Sequence, residues 1–403
     1  MASRKGESSE MEEIESEKDG SVVGIWRTLD ASANRSAEAV RVLEDILRFC
    51  LNDAFLSQEA KAIRHELAVI FSREDFQPRI RLRDVLRDVG VSTTVAKTPP
   101  RTEMKHVFAA NAARASQSIR SLEECSRLVV PAVTAAFEQL RYRIYTLEKA
   151  AMTTIISENR LADISLCVLL DVDRPKTEFK TLVGQLLTAG VNMIQLRDKK
   201  ANTSLLCERT KTITQQARQY AESTTGKRRC IVLVNDRADV AVAANADGVH
   251  LGETDLPVNL ARKVCGHEFI IGRTAHSIDE AKQAVLDGAD YLGVGPCYPS
   301  NTKQFKEFAT DTFLRDVSEE IRLPVFAIGG ITADNLDRLV RLGVKRVAIA
   351  SSITDAANPG EESRLICSLL SATQGNQSQE AASVSEQQIV QSASPQTANS
   401  RSK

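Results

Sequence analysis

After Asn159 eight short apolar runs alternate with amphipathic helical patterns, and before it the apolar residues recur at helical spacing. Together these predict an all-α domain followed by a (β/α)8 TIM barrel. The runs fall near residues 166–171, 193–196, 231–235, 248–251, 269–272, 291–295, 325–328 and 347–350. Several are apolar throughout rather than alternating, which is how a parallel strand buried on both faces reads. A doubly wound open sheet is the other fold this count fits, and in either fold ligands bind at the carboxyl ends of the strands.

At 403 residues the chain exceeds one ordinary domain, and 42% hydrophobic with 26% charged residues is the balance of a soluble globular protein. The net charge of -1 gives no case for a nucleic-acid or acidic-membrane partner. No apolar run approaches the roughly 18 residues of a spanning helix. The amino terminus, with Arg4 and Lys5 before a Glu-rich stretch, lacks an apolar signal segment, so the expected location is cytoplasmic. A homo-oligomer is compatible with the sequence, which does not fix oligomeric state. The eight cysteines include no Cys-x-x-Cys pair, and Cys167, Cys230 and Cys297 sit in strand-like runs as small hydrophobes, which argues against structural zinc or a disulfide framework.

In chain order, residues 1–22 are rich in Ser and Glu without apolar periodicity and are expected to be disordered. Residues 23–157 form the all-α domain: Ala37, Val40, Leu43 and Leu47 recur at three- and four-residue intervals, as do Ile119, Leu122 and Cys125. This domain contains a repeat at an offset of 79 residues, in which Arg35, Arg41 and Glu44 correspond to Arg114, Arg120 and Glu123. Each copy is followed by a further helical stretch, 58–72 and 134–152, which suggests two helical hairpins related by a pseudo-twofold axis. Residues 91–100 read as a loop or arm. The repeated charges either line an anion site on the axis or make helix-spaced salt links on solvated faces. The barrel occupies 158–373. Residues 374–403, rich in Gln and Ser, are a low-complexity tail with no core-forming pattern.

The strand ends carry the chemistry. The third run ends in Asn235-Asp236, and Asp255 follows the fourth, so two carboxylates emerge at one end of neighbouring strands. Hard oxygen ligands arranged this way suit a magnesium ion that itself holds a phosphate. The plain alternative for each is a helix N-cap, before Ala238 or Leu256. Arg197 and Lys199 follow the second run and Lys303 the sixth, placing three cations opposite the carboxylates, as a diphosphate requires. Gly329-Gly330 after the seventh run and Ala350-Ser351 after the eighth stand where a barrel binds a separate monophosphate through backbone N–H groups.

The segments Gln195-Leu-Arg-Asp-Lys199, Val234-Asn-Asp-Arg237, Gly248-Val-His-Leu-Gly252 with Asp255, Ile270-Ile-Gly272, Gly295-Pro296 with Thr302-Lys303, Ile328-Gly-Gly-Ile331 and Ala350-Ser351, in this order, resemble those of thiamine-phosphate synthases. The resemblance spans residues 161 to about 373. It implies a barrel that joins 4-amino-2-methyl-5-hydroxymethylpyrimidine diphosphate to 4-methyl-5-(2-phosphooxyethyl)thiazole, releasing pyrophosphate and thiamine phosphate. It further implies that Gln195, Arg197, Lys199, Asn235 and Lys303 contact the pyrimidine diphosphate, with Leu196 and Asp198 in the same segment. By the same resemblance Asp236 and Asp255 bind one Mg2+ per barrel. Thr302, Gly330 and Ser351 would hold the thiazole phosphate, with Ser300, Asn301, Gly329 and Ala350 beside them. Arg197, Lys199 and Lys303 would stabilise the departing diphosphate. The resemblance also counts Thr274 among the substrate-binding residues; the chain departs from the family in having Thr there where Ser is usual, and Ser300-Asn-Thr-Lys303 where Thr-x-Thr-Lys is usual, but both keep a hydroxyl and with it the hydrogen-bonding role. His250 and His276 invite a general-base role that the chemistry does not need, and structural roles are expected for them.

Two other readings fit parts of the pattern. A thiazole tautomerase of the same superfamily binds thiazole phosphate but has no use for Asp236, Asp255, Lys199 and Lys303 together. A thiamine-phosphate-binding regulator would use the helical repeat to contact a partner protein. The helical domain resembles a segment fused ahead of the synthase in some bacteria, and because the barrel motifs are complete without it, it is expected to be an accessory module.

Overall fold

The structure, a computed structural model, describes residues 3–84, 101–171, 173, 176–198, 200–224, 229–299 and 307–371. The expected arm at 91–100 and the tail at 374–403 lie outside the described residues. The chain divides into two compact units. One comprises the residues up to Arg160 with Val285–Gly288 and Glu319–Leu323, and the other the remainder. The boundary therefore falls three residues beyond the expected 157.

The helical unit is built from α1 (Ser3–Asp45), α2 (Ala54–Ser72), the short α3 (Pro78–Arg81), α4 (Met104–Val129) and α5 (Thr134–Arg160). α1 begins at Ser3, within the segment 1–22 for which disorder is expected. Its later turns bury Trp26 and Leu29. Asp53 caps α2, its side chain accepting from Leu56 N at 2.7 Å. In the pairing that the repeat predicts, α1 packs on α2 and α4 on α5, while α1 meets α4 and α2 meets α5. The core between them includes Leu43, Leu47, Phe76, Phe108, Ile119, Leu122 and Phe137.

The repeated charges are structural, but the two glutamates are not solvated. Glu44 accepts from Arg64 of α2 at 2.6 Å; Glu123 accepts from Arg141 of α5 at 2.9 Å and from Arg120 and Arg127 of its own helix at 2.6 and 3.1 Å. Burial pushes the Glu123 carboxyl up, but Arg141 and Arg120 outweigh it and hold the group below its ordinary range. Arg41 is spent on Asp45, four residues on, and Arg120 also reaches Glu124. Two of the repeat's four arginines are thus committed to neighbouring carboxylates rather than to a shared anion site.

The second unit is a closed parallel barrel, β1-β2-β3-β4-β5-β6-β7-β8, with β1 also paired to β8. Its strands are β1 (Leu166–Leu170), β2 (Met193–Leu196), β3 (Ile231–Asn235), β4 (Gly248–Leu251), β5 (Ile270–Ala275), β6 (Tyr291–Val294), β7 (Val325–Ile328) and β8 (Arg346–Ile349). The helices between them are α6 (Lys176–Thr188), α7 (Thr203–Ser223), α8 (Ala238–Ala243), α9 (Val258–Cys265), α10 (Ile278–Asp287), α11 (Asp311–Glu320) and α12 (Leu336–Arg341), with α13 (Ser351–Thr354) after β8 and a further helix over 359–371. Closure decides against the open sheet. Alternate strand residues point inward, so Cys167, Leu169, Met193, Leu233, Ile270, Tyr291, Phe326 and Ala348 fill the interior, joined by Leu161 and Ile164 from the segment leading into β1. Two acids staple the amino ends: Asp247, ahead of β4, accepts from Val232 N at 2.8 Å, and Asp290, ahead of β6, accepts from Ile271 N at 2.7 Å. All eight cysteines are free. Among the described residues no helix is long and apolar enough to cross a membrane.

Candidate active site

The apolar filling stops short of the carboxyl ends of the strands, and the interior positions there turn polar. They line a cavity of about 260 Å³ bounded by Gln195, Arg197, Asn235, Asp236, His250, Gly252, Glu253, Thr254, Asp255, Thr274, His276, Gly295, Pro296, Ile328 and Gly329. Seven of the residues singled out in the sequence meet there: Gln195, Arg197, Asn235, Asp236, Asp255, Thr274 and Gly329. Gln195 is buried, and its Nε2 donates to Asn235 Oδ1 at 2.8 Å, which locks both amides in one orientation.

Neither aspartate is the N-cap that the plain alternative makes it, since those positions belong to Arg237 and Pro257. Asp236 takes a left-handed backbone, φ 63°, with its N–H donating to the His250 carbonyl at 2.8 Å. An L-residue held there stores a cost of about 1–2 kcal/mol, a sign of positional constraint. Asp255 closes its own turn, Oδ2 accepting from Gly252 N at 2.7 Å. Arg273 steadies that loop by donating to the Gly252 carbonyl at 2.7 Å and the Glu253 carbonyl at 3.3 Å. Two carboxylates facing one cavity form a hard-oxygen donor set that fits a divalent cation. Among the described residues no three His, Cys, Asp or Glu side chains converge as a metal site.

The other expected residues stand apart. Leu196 is fully buried and, following Gln195 at the end of β2, points away from the cavity. Asp198 folds back on its loop, Oδ1 accepting from Lys200 N and Ala201 N at 2.8 and 3.0 Å. Gly330, Ala350 and Ser351 lie at the carboxyl ends of β7 and β8 without lining the cavity; Ala350 precedes α13 and its carbonyl accepts from Ile353 N and Thr354 N at 3.0 Å. Gly330 needs its missing side chain, because its φ is 61° and a Cβ would meet the Pro299 carbonyl oxygen at 2.2 Å. Lys199, Ser300, Asn301, Thr302 and Lys303 lie outside the described residues.

Sequence reasoning missed how the cavity floor is built. Gly272 lies between His250 and Tyr291 in the strand register, and having no side chain it lets them meet across it. Tyr291 Oη is 2.9 Å from His250 Nδ1, and His250 Nε2 is 2.9 Å from Thr274 Oγ1. Burial first, then Arg197 and Arg273, pulls the His250 pKa down to about 4 against the opposing pull of Asp255. His276, also at the rim, donates from Nδ1 to the Gly295 carbonyl at 2.7 Å. Both histidines thus have hydrogen-bond partners within the barrel.

A family model described as thiamine monophosphate synthase matches residues 166–353, from β1 into α13, and one described as the ThiD2 family matches 27–150 in the helical unit. A thiamine-phosphate synthase of Synechocystis sp. is 36% identical over 351 residues, covering 87% of this chain and 98% of that protein. One from Rhodopirellula baltica is 35% identical over 338 residues, covering 82% and 88%. The solved thiamine phosphate pyrophosphorylase of Pyrococcus furiosus is 32% identical and covers 52% of this chain and 96% of that one, with a TM-score of 0.46. The two longer alignments exceed everything that follows Arg160, so those relatives share sequence with the helical unit as well as the barrel. The chain belongs to the thiamine-phosphate synthase family.

Proposed function

We propose that the barrel mouth joins 4-amino-2-methyl-5-hydroxymethylpyrimidine diphosphate to 4-methyl-5-(2-phosphooxyethyl)thiazole, giving thiamine phosphate and pyrophosphate. The observation that carries this reading is the convergence in one cavity of a locked amide pair, Gln195 and Asn235, a guanidinium, Arg197, and two carboxylates, Asp236 and Asp255. The amides suit the ring nitrogens and amino group of a pyrimidine, which donate and accept in one plane. Arg197 suits the charge of a diphosphate. Asp236 and Asp255 would hold a Mg2+ ion, which when bound neutralises charge on the departing diphosphate oxygens.

The reaction asks little covalent chemistry of the chain. The bond from the exocyclic carbon to the diphosphate oxygen breaks with its electron pair leaving on oxygen, assisted by donation from the pyrimidine amino group. The thiazole nitrogen lone pair then forms the new C–N bond, and no side-chain nucleophile or proton transfer is needed. What the residues contribute is orientation of two substrates and fixed positive charge beside the leaving group, Arg197 with Lys199 and Lys303. Gly330 and Ser351, at neighbouring strand ends, would receive the thiazole phosphate through backbone N–H groups, together with Thr302. Among the described residues those that line the cavity all belong to the barrel unit, which supports reading the helical unit as an accessory module.

Incubating the full chain with both substrates and Mg2+ tests this reading. Thiamine phosphate and pyrophosphate should appear in equal amounts, and omission of either substrate should abolish both. Binding of thiazole phosphate without pyrophosphate release would favour the tautomerase, and binding of thiamine phosphate without turnover the regulator.

A further inference from the structure

The cavity floor holds three polar side chains whose hydrogen atoms can be counted. Tyr291 is buried, 2% exposed, with its ring set edge-on to Phe326 and over Gly272. Among the described residues its phenol has one hydrogen-bond partner, His250 Nδ1. A phenol carries a single O–H, and burying that donor without an acceptor forfeits its hydration for nothing. Tyr291 must therefore donate, and Nδ1 must be the unprotonated nitrogen.

The ring hydrogen then sits on Nε2, which donates to Thr274 Oγ1. Thr274 is thereby an acceptor towards the barrel interior, and its own hydrogen is left for the cavity that it lines. In the opposite polarity Nδ1–H would donate to Tyr291, orphan the phenol hydrogen and turn the Thr274 hydrogen inward. A doubly protonated ring orphans the phenol in the same way.

We propose that Tyr291 and His250 are positioning residues that fix the Thr274 hydroxyl as a donor to an anionic oxygen of the bound substrate. The recipient, the diphosphate leaving group, rests on the reading of the cavity given above. The direction of the relay does not. Its origin is the register: His250 pairs with Gly272, Gly272 with Tyr291, and Thr274 with Gly293, whose missing side chain leaves room for the His250 ring.

Long-range 15N–1H spectra of the full chain, with the His250 signals assigned by their loss in His250→Asn, read the tautomer directly. The expected result is a protonated Nε2 and an unprotonated Nδ1, with Tyr291→Phe releasing the ring into a mixture of tautomers. A protonated Nδ1 in the wild type overturns the relay. In turnover, Tyr291→Phe should lower kcat roughly three- to tenfold, the reach of one neutral hydrogen bond, with KM for thiazole phosphate unchanged. In a Thr274→Val background the same change should cause no further loss, because the group it orients is gone. Equal losses in both backgrounds mean that Tyr291 merely packs, and overturn the proposal. Absence of product from the wild type refutes the cavity reading and the diphosphate as recipient, while the spectrum alone decides the relay's direction.

Discussion

Gly272→Ala adds one methyl group at the most crowded point of the barrel interior. Its Cβ would lie 2.1 Å from Tyr291 Cζ, 2.3 Å from Cε1 and 2.5 Å from Oη, against the roughly 3.5–4 Å at which carbon atoms rest in contact. The ring has no free direction, since Phe326 stands edge-on to it with centroids 5.4 Å apart and its phenol is tied to His250. Relieving the clash costs about 1–3 kcal/mol by overpacking. Breaking the Tyr291–His250 hydrogen bond adds about 0.5–1.5 kcal/mol. The expected destabilisation is therefore about 1.5–4.5 kcal/mol, read from the urea midpoint of the barrel by circular dichroism. Gly184→Ala is the matched control: it lies in α6 with its nearest neighbour, Gln216 Nε2, at 3.9 Å. That substitution should instead stabilise by about 0.5–1 kcal/mol. A Gly272→Ala protein as stable as the wild type would refute the packing argument for the cavity floor.

Other outcomes follow from the charges. His250 has a folded pKa of about 4 against an ordinary 6.5, so on unfolding it takes up a proton between those values. Its contribution is whole above pH 6.5 and is lost as pH falls towards 4, to a total of about 3 kcal/mol. The wild type should lose stability across that window more steeply than His250→Asn, and parallel curves would contradict the assignment. In the helical unit, Glu123→Ala removes the carboxylate partner of the buried Arg141 and should cost about 3–5 kcal/mol. Arg41→Ala, on an exposed pair with Asp45, should stay within about 0.5 kcal/mol; thermal unfolding of both variants checks the contrast.

The strands were legible because parallel strands covered on both faces are written as unbroken apolar runs, and seven of the eight ends fell within one residue of the expectation. The exception is instructive. β5 continues to Ala275 rather than stopping at Gly272, because Arg273 and Thr274 read as polar chain leaving the core, whereas Thr274 faces the cavity as part of the strand. Asp236 and Asp255 were legible as strand-end carboxylates. The relay was not, since Tyr291 reads as an ordinary core aromatic, and only the register of a closed barrel sets it beside His250 across a glycine.

The central claim, that Asp236 and Asp255 serve the chemistry at the barrel mouth, is tested most directly by the Mg2+ dependence of thiamine phosphate formation in Asp236→Asn and Asp255→Asn. Both variants should keep the wild-type circular dichroism spectrum, because each change removes a charge at the cavity rather than a core group. Both should lose turnover on the order of a hundredfold at saturating Mg2+, equivalent to about 2.7 kcal/mol of transition-state stabilisation. Wild-type rates in both folded variants would contradict the account.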